Sequence, residues 1–235
     1  MNIVLFSRDQ RINDRVHFEG KQADHIQKVL KAKPGDLINV GEIDGMMGPA
    51  RILEINNRVS CQVDLKIPPP PPLPLTLLLA LPRPKALKRL LQTLASLGIK
   101  SIFLFGCWKV EKSYWSSPVL LQQNLKKYLL LGLEQSKDTV LPHIELMPLF
   151  KPFVEDRVPE LIKNNLALLA HPKSIDNFPR SINAPVVLAI GPEGGFIPYE
   201  IEKFTNVGFQ SVSLGPRVLK SEVVIPYLAG RLWQK

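Results

Sequence analysis

The chain has 235 residues, 45% of them hydrophobic and 22% charged, long enough for one large or two modest domains and unlike a disordered or fibrous chain. Its longest apolar run, Leu77 to Leu81, is too short to cross a bilayer, and Met1 to Asp9 lacks the basic and apolar segments of a secretory signal, so a cytoplasmic protein with no membrane partner is expected. The net charge of +9 is concentrated between Arg83 and Lys127, where nine bases stand against the single acid Glu111; such an excess suits a polyanion, or else is a solvated basic face.

Residues 1–67 read mostly as strands, at Asn2 to Phe6, Leu37 to Ile43, Pro49 to Ile55 and Val59 to Ile67. Turn chemistry at Lys33-Pro34-Gly35-Asp36 and Asp44 to Gly48 separates them, and Ala23 to Leu30 has helical spacing. A small barrel-like β domain is expected. Prolines 68 to 72 and Pro74 then form an extended linker, residues 68–74, which should join neither a helix nor a central strand.

From 75 to 235 strands and helices alternate. Strands are expected at Thr76 to Ala80, Ser101 to Phe105, Ile144 to Met147, Leu166 to Ala170, Val186 to Ile190 and Ser211 to Leu214. Between them, helices are expected at Lys85 to Leu97, Val119 to Ser136, Val154 to Asn164 and Pro198 to Asn206, with a last one from Ser221 to Trp233. This is the pattern of an α/β domain with a mostly parallel sheet, in which ligands bind outside the carboxyl ends of the strands. Cys61 and Cys107 read as reduced thiols, and no histidine lies near them at metal-ligand spacing, so no metal is expected.

Two glycine turns carry the chemistry. Ile190-Gly191-Pro192-Glu193-Gly194-Gly195-Phe196 follows an apolar strand, and its glycines allow close main-chain approach to a ligand, although such turns also merely reverse a chain. Leu214-Gly215-Pro216-Arg217-Val218-Leu219 follows the last strand and leads into the last helix. Glu222 opens that helix; it is a candidate for handling a proton or orienting a base, or an ordinary first-turn carboxylate. Lys220 and Arg217 could stabilise an anion beside it. An RNA path is expected over Arg83, Lys85, Lys88 and Arg89 and over the segment Trp108, Lys109, Lys112, Tyr114 and Trp115, where rings could stack on bases and lysines hold phosphates. The competing expectation is that the tryptophans are core.

Gly191-Pro192-Glu193-Gly194-Gly195-Phe196, Glu200-Ile201, Gly208-Phe209 and Ser213-Leu214-Gly215-Pro216-Arg217-Val218-Leu219 together resemble the signature of the ribosomal RNA uridine N3-methyltransferases of the SPOUT superfamily. The resemblance implies a PUA-like N-terminal barrel, then an α/β domain with a C-terminal trefoil knot. It implies a homodimer that methylates a uridine of 16S ribosomal RNA, alone or in the small subunit. It also implies S-adenosylmethionine as cofactor, held by Ala170, His171 and Pro172, by Ile190, Gly191, Glu193, Gly194 and Gly195, and by Ser213, Leu214, Gly215 and Leu219. The chain departs from the family pattern at Ser96, Val110 to Ser113, Lys137-Asp138 and Lys220 to Val224. An RNA-binding paralogue with an altered target or without catalysis is therefore the alternative.

Overall fold

The structure is a computed structural model describing residues 2–179, 182 and 184–232. The chain divides into two compact units, Met1–Pro71 with Leu129–Leu141, and Pro72–Tyr128 with Pro142–Lys235.

In the first unit the alternating segments become β1 (Val4–Phe6), β2 (Arg11–Ile12), β3 (Arg15–Phe18), β4 (Leu37–Glu42), β5 (Met47–Ile55) and β6 (Val59–Val63). They form one sheet in the order β1-β4-β5-β6-β3-β2, antiparallel except for the parallel pair β1 and β4. Alternation places Val16, Phe18, Val40, Ala50, Ile52, Val59 and Cys61 in the core. Strands β2 and β3 were not legible in the sequence, because Arg11 to His17 is mostly polar. The expected helix at Ala23 to Leu30 begins earlier, as α1 (Gly20–Asp24), and continues as a turn of π-helix, His25–Val29. The segment Leu129–Leu141 is stitched to this unit by its backbone. The Glu134 carbonyl accepts from the N–H groups of Asn2 (2.9 Å) and Ile3 (3.3 Å), and the Asp44 N–H donates to Thr139 O at 2.9 Å.

The second unit is a six-stranded parallel sheet built from β7 (Leu73–Ala80), β8 (Ile99–Phe105), β9 (His143–Met147), β10 (Leu166–Ala170), β11 (Val186–Ile190) and β12 (Gln210–Val212). The order is β12-β10-β11-β7-β8-β9. The central strand β11 is wholly buried and β7 is buried from Leu77 onward, as a parallel sheet covered on both faces requires.

The proline run needs one correction: β7 begins at Leu73 and contains Pro74, so the extended linker ends before it reaches residue 74. The sheet tolerates this proline because the β7–β8 register is irregular between Leu73 and Thr76, and pairing with β11 starts only at Leu75.

Helix α2 (Pro84–Ser96) starts on a proline at its first position and buries Leu87, Leu90, Leu91 and Leu94. Helix α3 (Gln122–Ser136) starts later than expected, because Pro118–Leu120 forms a separate 3-10 turn and Leu121 is extended. Helices α4 (Phe150–Pro152) and α5 (Val158–Ile162) are joined by a π-turn, Phe153–Arg157. This helical stretch stops short of the expected Asn164, which takes a left-handed φ of 66° that asparagine tolerates. Helix α6 (Pro198–Asn206) is as expected, and α7 spans Ser221–Leu232; its expected last residue, Trp233, lies outside the described residues.

Candidate functional site

Three neighbouring strands, β10, β11 and β12, end at Ala170, Ile190 and Val212, and the turns that leave them enclose a cavity of about 350 Å³. Its walls are Ala170, His171 and Pro172 after β10; Ile190 to Phe196 after β11; and Leu214, Gly215, Arg217 to Ser221 and Val224 after β12. The volume is in the range of small-molecule sites, about 300–1,000 Å³. Of the residues the sequence assigned to a cofactor, only Ser213 stays out of the wall. It is buried at 8% exposure, and its hydroxyl donates to the Pro172 carbonyl (3.4 Å) and accepts from the Gly215 N–H (3.2 Å), tying two of the turns together.

Local chemistry explains why these turns are glycine-rich. Gly195 and Gly215 have φ of +70° and +107°, and a β-carbon on either would meet nothing within 4 Å, so both present open main chain. The Gly195 N–H closes the turn on the Pro192 carbonyl at 2.8 Å. Gly191 lies against the Phe196 ring, which an added β-carbon would approach to 3.0 Å. That ring stacks on Phe105 (centroids 6.3 Å apart, planes at 10°) and meets Phe204 edge-on at 5.6 Å, which anchors the turn in the aromatic core. His171 is half-buried; burial, with Lys173 adding to it, holds its imidazole below the ordinary histidine range.

The three proposed catalytic residues separate. Arg217 and Lys220 line the cavity, whereas Glu222 does not, and its Oε1 instead accepts from Arg89 Nε at 2.7 Å. Arg83 Nε pairs with Glu193 Oε1 at 3.4 Å. The basic stretch is thus divided: Arg83 and Arg89 meet acids in or next to the cavity wall, while the ammonium groups of Lys88 and Lys127 lie 5.9 and 5.8 Å from the Tyr128 ring centre.

In the segment 108–115 the expectation that both tryptophans are core does not hold. The Trp108 side chain is 79% exposed, Tyr114 and Trp115 are half-buried, and Lys85 and Lys112 are exposed. Lys109 donates to the Gly194 carbonyl at 2.7 Å. Sequence reasoning attached no role to Glu200, yet it is 2% exposed and accepts from two backbone N–H groups, those of Trp108 (2.7 Å) and Ile197 (2.9 Å). Its signal was present: Pro198 opens α6, and a glutamate two positions later can reach back to the preceding N–H. Burial raises the Cys107 thiol to about 12, with the Glu200 charge reinforcing the effect, which keeps the thiol protonated at neutral pH. Among the described residues no cluster of histidine, cysteine, aspartate or glutamate could hold a metal, and no helix is long and apolar enough to cross a membrane.

Residues 69–233 match the model of the RNA methyltransferase domain family. The chain is 32% identical to the ribosomal RNA small subunit methyltransferase E of Treponema pallidum, across 94% of this chain and 86% of that protein. It is 25% identical to the ribosomal RNA small subunit methyltransferase E 1 of Borreliella burgdorferi, across 94% and 93%. It shares its fold with a ribosomal RNA small subunit methyltransferase E from Neisseria gonorrhoeae bound to S-adenosyl methionine (TM-score 0.75, 18% identity, 98% of each chain). A putative methyltransferase from Legionella pneumophila in complex with the same cofactor also shares it (TM-score 0.74, 22% identity, 97% of this chain and 95% of that one). On the strength of the matched domain and of a relative this similar over nearly its whole length, the chain belongs to the RNA methyltransferase domain family.

Proposed function

We propose that this protein methylates N3 of a uridine in 16S ribosomal RNA, with S-adenosylmethionine held in the cavity at the ends of β10, β11 and β12. One observation carries the reading: turns from three adjacent strands meet in a single cavity, and Gly195 and Gly215 leave main chain open to it. The lining fits this cofactor, because bare N–H and carbonyl groups suit its polar parts and Ile190, Leu214, Leu219 and Val224 suit its flat ring. When bound, it supplies a methyl group on a cationic sulfur that needs no further activation.

The protein's own tasks are then alignment and proton handling. The target base must leave its stack, and its N3 proton must go to a base and then to water as the new N–C bond replaces the methyl group's bond to sulfur, the neutral thioether being the leaving group. Glu222 takes or orients that proton, while Lys220 and Arg217 balance the charge of the uridine anion or grip a flanking phosphate. RNA runs over Arg83, Lys85, Lys88 and Arg89 of the α2 region and over Trp108, Lys109, Lys112, Tyr114 and Trp115, with Lys109 in the role argued below.

The finer fold belongs to the same proposal: a PUA-like barrel over residues 1–67, the proline linker, and a SPOUT domain with a trefoil knot. Backbone bonds on both sides of the segment after β10 support the knot. Ser213 N–H donates to Asp176 O (2.7 Å), Phe178 N–H to Ser213 O (2.9 Å) and Ile182 N–H to Leu232 O (2.8 Å). The protein acts as a homodimer in the cytoplasm, where its RNA is. The Arg89–Glu222 pair favours one competing reading, an RNA-binding paralogue whose carboxylate is permanently engaged. Incubation with labelled S-adenosylmethionine and either naked 16S RNA or assembled small subunits, followed by nucleoside mass spectrometry, decides. N3-methyluridine in one substrate supports the proposal, and cofactor and RNA binding without any transfer supports the paralogue.

A further inference from the structure

The loop after β8 touches the glycine turn after β11 at two successive residues. The buried Glu200 carboxylate accepts the Trp108 N–H on one oxygen, at 2.7 Å, and the Ile197 N–H on the other, at 2.9 Å, so it joins the loop to the end of the turn. One residue on, Lys109 donates to the Gly194 carbonyl at 2.7 Å. Its stem fills the place where a side chain on residue 194 would go, since a β-carbon there would stand 2.8 Å from Lys109 Cδ. Gly195, with its φ of +70°, lies between these two attachments, and its main chain faces the cavity.

We propose that Glu200 and Lys109 are positioning residues that fix the Gly191–Ile197 turn from behind, and that Lys109 is therefore not a phosphate ligand despite its place in the basic stretch. The inference rests on the cavity being the S-adenosylmethionine site. Recognition by main-chain groups depends on placement to within a fraction of an ångström, which a solvated turn with a left-handed residue does not hold unaided. The exposed ammonium donates one of its N–H groups to a carbonyl of the turn, and the carboxylate has two N–H donors in a dry setting, where such bonds are strong. Anchoring the Trp108 backbone also leaves its indole, 79% exposed, projecting from a fixed point.

Three measurements on Lys109→Met, Lys109→Arg and Glu200→Gln test this: hydrogen exchange of the turn amides in the cofactor-free protein, calorimetry with S-adenosylmethionine, and RNA affinity as a function of salt. Lys109→Met keeps the stem and should raise exchange at Gly194 to Ile197 by about fivefold and weaken the cofactor by about tenfold, with the salt slope for RNA unchanged. Lys109→Arg should recover most of both losses, and Glu200→Gln should show the same pattern more strongly. Wild-type exchange and cofactor affinity in Lys109→Met would overturn the proposal. So would a salt slope reduced by about one with cofactor affinity intact, the signature of a phosphate contact. Should Glu200→Gln fail to fold, the Lys109→Met results decide alone. Should the wild-type protein not bind S-adenosylmethionine, the cavity's assignment fails, and the exchange measurement still decides whether the two residues hold the turn.

Discussion

Arg89 donates from Nε to Glu222 Oε1 at 2.7 Å, so a base from the α2 stretch holds the carboxylate that opens α7. The pair is open to water, with 61% of the arginine side chain and 28% of the glutamate side chain exposed, so its contribution to stability is small, about 0–1 kcal/mol. On the proposed reading, an RNA phosphate competes for the guanidinium and releases the carboxylate to act as the base. Glu222→Gln should lower kcat by about 100-fold or more while cofactor and RNA affinity persist. Arg89→Ala should weaken RNA and reduce its salt slope by about one, with kcat at saturating RNA within a few-fold of wild type. Single-turnover methyl transfer with both variants checks this, and an unchanged rate in Glu222→Gln would reduce that residue to a helix-terminal charge.

Much of this site was legible because each glycine turn follows a strand, apolar in β11 and ending on the buried Val212 in β12, a local pattern. Ala170 to Pro172 lacks that pattern; only family resemblance placed it, and the structure brings it to the same wall. What the sequence hid was non-local. Glu200 stands 92 residues from the Trp108 N–H it accepts, and Lys109 stands 85 residues from Gly194. No periodicity encodes such pairings. The strand at Thr76 to Ala80 was expected, but its start through Pro74 was missed for a related reason: a proline is tolerated there by an irregular register with β8, which is a property of the partner strand.

Gly195 and Gly215 give a test that separates strain from occlusion. Both hold left-handed φ values with open space where a β-carbon would go. Alanine at either position should cost about 1–2 kcal/mol of folding stability from the backbone alone. Because both residues line the cavity and the added methyl would occupy open space beside it, cofactor affinity should fall beyond what folding loss explains. Gly20 provides the control, with φ of +52° and open space but in the first unit; Gly20→Ala should cost similar stability and leave cofactor affinity unchanged. Thermal melts and calorimetry on the three variants measure both quantities.

Glu134 sets a pH dependence within the first unit. It is 8% exposed, and burial raises its carboxyl from 4.5 to about 7, against a smaller opposing effect of the Leu5 N–H. A folded value above the unfolded one means that the native state binds the proton more tightly. The associated stability is complete below about 4.5 and is lost as pH rises through about 7. Urea stability should therefore decline between those values by the order of 2–3 kcal/mol, and Glu134→Gln, which keeps an acceptor for Leu5, should flatten that decline. A parallel decline in wild type and variant would assign the dependence to another group.

The last prediction concerns assembly. Val224, Ile225, Leu228 and Leu232 of α7 are buried within the protomer, yet Val223 and Tyr227, one helical turn apart, remain 51% and 46% exposed. Val218 adds a third apolar side chain at 79% exposure, from the turn that lines the cavity and leads into this helix. Exposed apolar side chains on one helix and the turn leading into it are expected to be covered, and a second copy is the cover the dimer proposal supplies. Light scattering at micromolar concentration should give about twice 26.4 kDa. Val223→Glu with Tyr227→Ser should return the protein to a single-chain mass at little cost to the protomer's own folding, because exposed substitutions usually change stability by less than about 0.5 kcal/mol. A wild-type mass of one chain would overturn the dimer. A variant that remained dimeric would move the interface away from α7.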